Sequence, residues 1–184
     1  MRRRHLVLAA TILGLPLPAA AGVTVIGSGN ARMCYLAAES TVTPGRDDLK
    51  WCDDAVIEER TNTKIAGATH VNRGILRLRR GDVVGALADF DAATALDPQE
   101  PEAYLNRGSA LLRQQQAAVA ITQFDAAIAK QTRRPELAYY GRAIAHEESG
   151  NVSAAYRDYM QASQLAPRWQ QPRRELSRFR IVRN

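Results

Sequence analysis

Aromatic side chains are scarce. Only 6% of the 184 residues are Phe, Trp or Tyr although 46% are hydrophobic, so one domain of this length must fill its core largely with alanine and other small apolar groups. Cysteine occurs twice, at Cys34 and Cys52, and beyond the first residues the only histidines are His70 and His146. That spacing, with no histidine nearby, disfavours a zinc site or a thiol nucleophile. Beyond residue 21 no run is long and apolar enough to span a bilayer. No cysteine follows that point closely enough to carry a lipid, so membrane association is expected to be peripheral at most. Catalytic motifs are also missing. "VTVIGSGNAR" offers Gly27-Ser28-Gly29 after a β-prone run, but Arg32 replaces the third glycine of a dinucleotide fingerprint and no crossover strand follows. The segment is better read as a mobile mature N-terminus. No serine sits at a sharp elbow with histidine support, and His146, Glu147 and Glu148 are adjacent on one helix and face different ways. The expectation is a non-enzyme with no cofactor, no metal and no catalytic residue.

What is present begins with a leader. "MRRRHLVLAATILGLPLPAAAG" has a cationic start, a short proline-broken apolar run and the small residues Ala19-Ala20-Ala21. Residues 1–21 are therefore expected to be a cleaved signal peptide, leaving Gly22 first. Arg3-Arg4 followed by Leu6-Val7 is a faint twin-arginine pattern, but no downstream cofactor motif calls for export in the folded state. An exported, periplasmic location follows, with secretion as the second option. In that setting an isolated cysteine pair most simply forms a Cys34–Cys52 disulfide, closing a loop of about 18 residues and stabilising by roughly 3 kcal/mol.

The formal charge of +6 invites a nucleic-acid reading until it is located. Without Arg2, Arg3 and Arg4 the chain holds 22 basic and 19 acidic residues, or +3. Arg168 to Asn184 holds six arginines and one glutamate, so residues 22–167 carry 16 basic and 18 acidic side chains, or −2. That body is no polyanion-binding surface, and no nucleic-acid partner is expected.

Aligned against itself, the chain repeats. Ala86, Phe90 and Ala93 recur as Ala120, Phe124 and Ala127, then as Ala155, Tyr159 and Ala162, at steps of 34 and 35 residues. The spacing i, i+4, i+7 puts each triplet on one helical face. The small residues admit a neighbouring helix closely, and the ring fills the groove left between them. Upstream, Asn72-Arg73-Gly74 aligns with Asn106-Arg107-Gly108 and Gly141-Arg142-Ala143, so Gly74, Gly108 and Ala143 supply the small contact on a preceding helix. Gly81, Gln115 and Gly150 fall at equivalent breaks, and Pro98 and Pro167 stop the second helix.

This helix-turn-helix of about 34 residues with small, ring and small positions resembles the tetratricopeptide repeat. The resemblance implies an all-α superhelix with repeats at 67–100, 101–135 and 136–169. A degenerate pair is expected over 22–66, formed by "NARMCYLAAES" and "DLKWCDDAVIEER", with Cys52 in the ring slot and Cys34 in the small slot. A basic capping helix and tail are expected over 170–184, with Pro172 in its first turn and Leu176 and Phe179 covering the last repeat.

In such arrays the first helices line a concave face that binds extended peptides or partner helices. The resemblance therefore implies a protein or peptide partner and a role as adaptor, scaffold or assembly factor. Asn72 and Asn106 stand in the slot that often hydrogen-bonds a ligand backbone, and an amide offers both a donor and an acceptor. A local bond to the neighbouring repeat is the alternative. Arg79 and Arg113, one repeat apart near the end of the first helix, are candidates for a ligand carboxylate, or else are helix-terminal charges. Arg73, Arg107 and Arg142 are expected to pair with Asp89, Asp91, Asp125 and Asp158 rather than a ligand. Val71, Leu105 and Tyr140 stand where a lysine clamp for acidic C-termini would need lysine. A second possibility is a structural envelope protein docked through its arginine-rich tail on an acidic partner or an anionic membrane surface.

Overall fold

The computed structural model describes residues 4–8, 22–24, 27–40 and 42–183. Residues 1–3 and 9–21 of the expected leader lie outside the described residues.

Most helices begin where the sequence supplies a cap or a proline. Helix α1 (Gly29–Glu39) starts at Ser28, whose hydroxyl accepts from the Ala31 amide, so the Gly-Ser-Gly stretch is a helix start. Helix α2 (Arg46–Glu58) carries Asp47 and Asp48 in its first turn, the favoured sign at that end of the dipole. Asn62, Asp82 and Asn151 cap α3 (Thr63–Arg79), α4 (Val83–Leu96) and α8 (Val152–Leu165) in the same way. Prolines open α5 (Pro101–Arg113) and α7 (Pro135–Glu148). Between them lies α6 (Ala117–Ala129), and a short α9 (Gln170–Leu176) follows α8. Because Asn62 caps it, α3 starts four residues ahead of the repeat register at 67.

The helices form hairpins α1/α2, α3/α4, α5/α6 and α7/α8. The first helices also touch one another in order, α1 to α3 to α5 to α7, which sets them on the inside of the stack. From Gly29 to Leu176 the described elements are all helices, a tetratricopeptide-type array. Its repeated positions are packed as the register requires. Phe90, Phe124 and Tyr159 are buried, as are Ala86, Ala93, Ala120, Ala127, Ala143, Ala155 and Ala162. A methyl group on Gly74 would strike the Phe90 ring. Phe124 is held between two glycines, Gly108 of its own repeat and Gly141 of the next, and a side chain at either would collide with it.

In the first pair the sulfurs of Cys34 and Cys52 lie 2.06 Å apart. Both are buried against Leu76, in place of the small-to-ring contact of the other pairs.

Ion pairs staple one unit to the next. Arg73 holds Asp53 of the preceding unit at 2.9 Å and Asp89 of its own at 2.7 Å. Arg142 repeats this with Asp125 (2.5 Å) and Asp158 (2.8 Å). Arg107 reaches back to Asp91 at 2.7 Å, while Gln123 stands one 34-residue step after Asp89.

The C-terminus departs from the expected capping helix. Helix α9 ends at Leu176, and residues Phe179–Arg183 form strand β2, paired antiparallel with β1 (Arg4–Leu8) so that Leu6 faces Ile181 across the ladder. The Phe-Arg-Ile-Val-Arg sequence is aromatic at its start and β-branched at Ile181 and Val182, a composition that favours a strand. Arg178 fixes where the helix stops, pairing with Glu147 at 2.9 Å and Glu175 at 2.6 Å. Pro172 is buried, and Phe179 covers the last repeat by packing on Tyr156 and Tyr159.

Candidate peptide-binding groove

The inner face presents Asn72 on α3, Asn106 on α5 and the end of α1. Asn72 is fully buried (0% exposed), and its amide is used in both directions. Oδ1 accepts from the Val23 backbone amide at 2.8 Å, and Nδ2 donates to the Val23 carbonyl at 2.9 Å. This is the two-way reading of an extended backbone for which an asparagine amide is suited, made here to the chain's own N-terminal segment. Asn106 donates from Nδ2 to the Glu102 carbonyl one turn back, at 2.8 Å.

The segment continues along the same face. The Gly22 amide donates to Glu39 Oε1 at 2.7 Å, and its carbonyl accepts from Arg133 at 2.8 Å. Val23 is 7% exposed and belongs to the core cluster around Val71, Ile75 and Phe90. Further on, the Ser28 amide donates to Glu59 at 2.6 Å. At Gly22, Val23 and Ser28 the stretch expected to be mobile is therefore anchored, because these backbone groups find partners on α1, on α3, at the residue that ends α2 and in the turn before α7.

Arg133 is itself positioned. Glu102, fully buried at the start of α5, accepts from the Arg133 amide at 2.9 Å, from Thr132 Oγ1 at 2.9 Å and from Arg133 Nε at 3.4 Å. Glu39, Glu102 and Arg133 escaped the sequence reading. One signal was available: the step from the second copy to the third is 35 residues rather than 34. The additional residue lies in the turn between α6 and α7 that carries Thr132 and Arg133.

Arg79 and Arg113 face other tasks. Arg79 donates to the carbonyls of Ala38 and Ser40, both at 2.6 Å, and to Ala37 at 3.3 Å. Arg113 donates to the Leu78 carbonyl at 2.6 Å. Each closes the C-terminal end of the first helix in the preceding unit, where carbonyls lack intrahelical partners and the dipole favours a cation. Burial pushes the Arg79 guanidinium down from its usual value, against the opposing pull of Glu39. These arginines build the edge of the groove and are occupied by their own chain.

On the far side of α3, Asp89 gathers Arg73, Arg77 and His70, with His70 Nδ1 2.9 Å from its carboxylate. Burial alone would raise the Asp89 carboxyl. Hydrogen bonds from His70 and Arg73 and the nearby guanidinium charges outweigh it and hold the group below the usual carboxylate range. In the last repeat, Glu147 accepts from the Tyr159 hydroxyl and from Arg178, while His146 faces Asp158 at 3.9 Å. These side chains diverge and each serves the packing between α7 and its neighbours.

The tetratricopeptide repeat family model matches residues 71–135 and 105–172, together more than half of the chain. No match to a curated protein was found. The first repeat domain of human RPAP3 (Spaghetti), also solved bound to the HSP90 peptide SRMEEVD, is 25% identical with a TM-score of 0.57, covering 60% of this chain and 87% of that one. MamA from residue 41 onward, of Desulfovibrio magneticus RS-1, has a TM-score of 0.65 at 19% identity over 81% of this chain and 82% of its own. PilW, a type IV pilus biogenesis factor, has a TM-score of 0.61 at 20% identity over 80% and 64%. The last two likenesses speak to the fold. With its repeated small-ring-small packing, its arginine staples and the family match over the same residues, the chain belongs to the tetratricopeptide repeat family.

Proposed function

We propose that this chain is a non-catalytic protein-interaction module, exported to the periplasm, that holds an extended peptide or protein segment on the inner face of its helical array. The observation that carries this reading is the Asn72 amide, which binds both backbone groups of Val23 regardless of side chain. RPAP3, whose first repeat domain is solved with a bound peptide, supports the same use of the fold. In this reading Cys34 and Cys52 are joined by a disulfide in the oxidising envelope, and the module serves as an adaptor or assembly factor there. The test is capture of partners from the native envelope with crosslinking, comparing the native chain with an Asn72→Ala, Asn106→Ala double variant. Crosslinks on α3 and α5 that the variant loses support the reading; unchanged capture by the variant overturns it.

Docking through the tail is the second reading, favoured by the exposure of Arg168, Arg173 and Arg174. Arg178 is engaged in the fold, so the discriminating variant is Arg173→Glu with Arg174→Glu rather than removal of the tail. Under the groove reading, partner affinity and its salt dependence stay as in the native chain.

A further inference from the structure

We propose that the inner face is an amino-terminus site whose resident is the chain's own Gly22–Val23–Thr24, completed when the leader is cut after Ala21. The inference deepens the groove reading and rests on leader cleavage before Gly22.

Three observations converge on it. The backbone nitrogen of Gly22 already lies 2.7 Å from Glu39 Oε1. Cleavage turns that amide into an ammonium, which carries three donors and a positive charge and converts a neutral hydrogen bond into a charge-assisted one. Residue 22 sits close against its partners: a Cβ there would come within 2.5 Å of Glu39 Oε1 and 3.2 Å of Asn72 Oδ1, so a larger residue would push the Glu39 carboxylate aside and loosen its hold on the residue 22 nitrogen. Beyond it, Arg133 fixes the Gly22 carbonyl, Asn72 fixes both backbone groups of Val23, and the valine side chain is buried. The site thus holds an amino-terminal nitrogen, favours a small first residue, and then takes an apolar residue by both of its backbone groups. The charged groups that face this end are Glu39 and Arg133, with Glu102 buried behind Arg133.

The consequence for binding is competition. Residues 22–24 already occupy Asn72 before cleavage, so a partner segment that uses Asn72 has to displace them, and the charge gained at Gly22 when the leader is cut strengthens their hold. The closed form is the ground state, and partner binding works against it.

The test uses the full-length precursor, exported and purified from the envelope. Intact mass identifies the first residue, and a broad aminopeptidase then trims the chain beside the free peptide GVTVIGSG, which copies residues 22–29. The expected result is a chain that starts at Gly22 and is trimmed at least about tenfold more slowly than the peptide, since trimming must wait for local opening. Asn72→Ala and Glu39→Gln should each bring trimming close to the peptide rate. Arg133→Ala, at a side chain 50% exposed, does the same while Glu102 keeps the residue 133 amide and Thr132 Oγ1 as donors, and circular dichroism confirms that each variant is folded. Trimming of the native chain at the peptide rate, or variants trimmed no faster than the native chain, overturns the proposal and leaves the leader reading standing. A first residue other than Gly22 overturns both.

Discussion

Gln115 holds the second turn in a conformation that suits glycine. Its φ is +59°, against +86° at Gly81 and +76° at Gly150 in the equivalent breaks. A side chain in that region costs roughly 1–2 kcal/mol, part of which the larger unfolded-state entropy of glycine takes back. Gln115→Gly is therefore expected to raise unfolding free energy by about 0.5 to 1 kcal/mol in urea titrations. Gly141 offers the reverse case. Alanine is the better helix former by about 1 kcal/mol, yet a methyl there meets the Phe124 ring, and overpacking typically costs about 1–3 kcal/mol. Gly141→Ala should lower the thermal midpoint, and a rise would show that Phe124 is free to move aside. The alternation of small and ring residues was legible because it recurs three times. The partners of Asn72 were not, since Val23 lies 49 residues away and in none of the repeats.

The α3/α4 hairpin carries its own acid sensitivity. The carboxyl of Asp89 sits below its unfolded value of about 3.9, and it is the depressed folded value that stabilises. That contribution is fully present above the unfolded pKa and is lost as the pH falls through the folded pKa. Asp89→Asn leaves Arg73 and Arg77 short of a buried partner and should cost roughly 3 kcal/mol at pH 7. The gap between native and variant should narrow steadily below pH of about 4, followed by urea unfolding across that range. A gap that stays constant would place the stabilisation in packing rather than charge. The helices themselves were readable from caps and prolines. The end of α9 was not: Phe179 satisfies a helical register, and only the Arg178 pairs with Glu147 and Glu175 mark where the helix stops.

Across the array, stability is a sum of units and the interfaces between them, and the end units have a neighbour on one side only. The Cys34–Cys52 pair stands at such an end. Replacing both by serine is expected to cost about 3 kcal/mol, with the loss concentrated in α1 and α2 in hydrogen exchange. Alkylation and mass spectrometry of envelope-purified protein should find no free thiol; modified cysteines would place the pair in the reduced state. The number and order of units were legible from the register, because interfaces repeat. The N-terminal segment and the Thr132–Arg133 turn were not, because their contacts join parts of the chain outside that period. The arginine clamps give this array a direction. Arg79 closes the end of α1 and Arg113 the end of α3, each reaching backward by one unit. A duplicated copy of residues 101–134 placed after the original would bring its own arginine to the carbonyls of the α5 before it. The arginine joint of the middle repeat thus copies itself, whereas the copy's Asn106 would stand where Gly141 now leaves room for Phe124, so lengthening the chain there calls for a glycine at that one position.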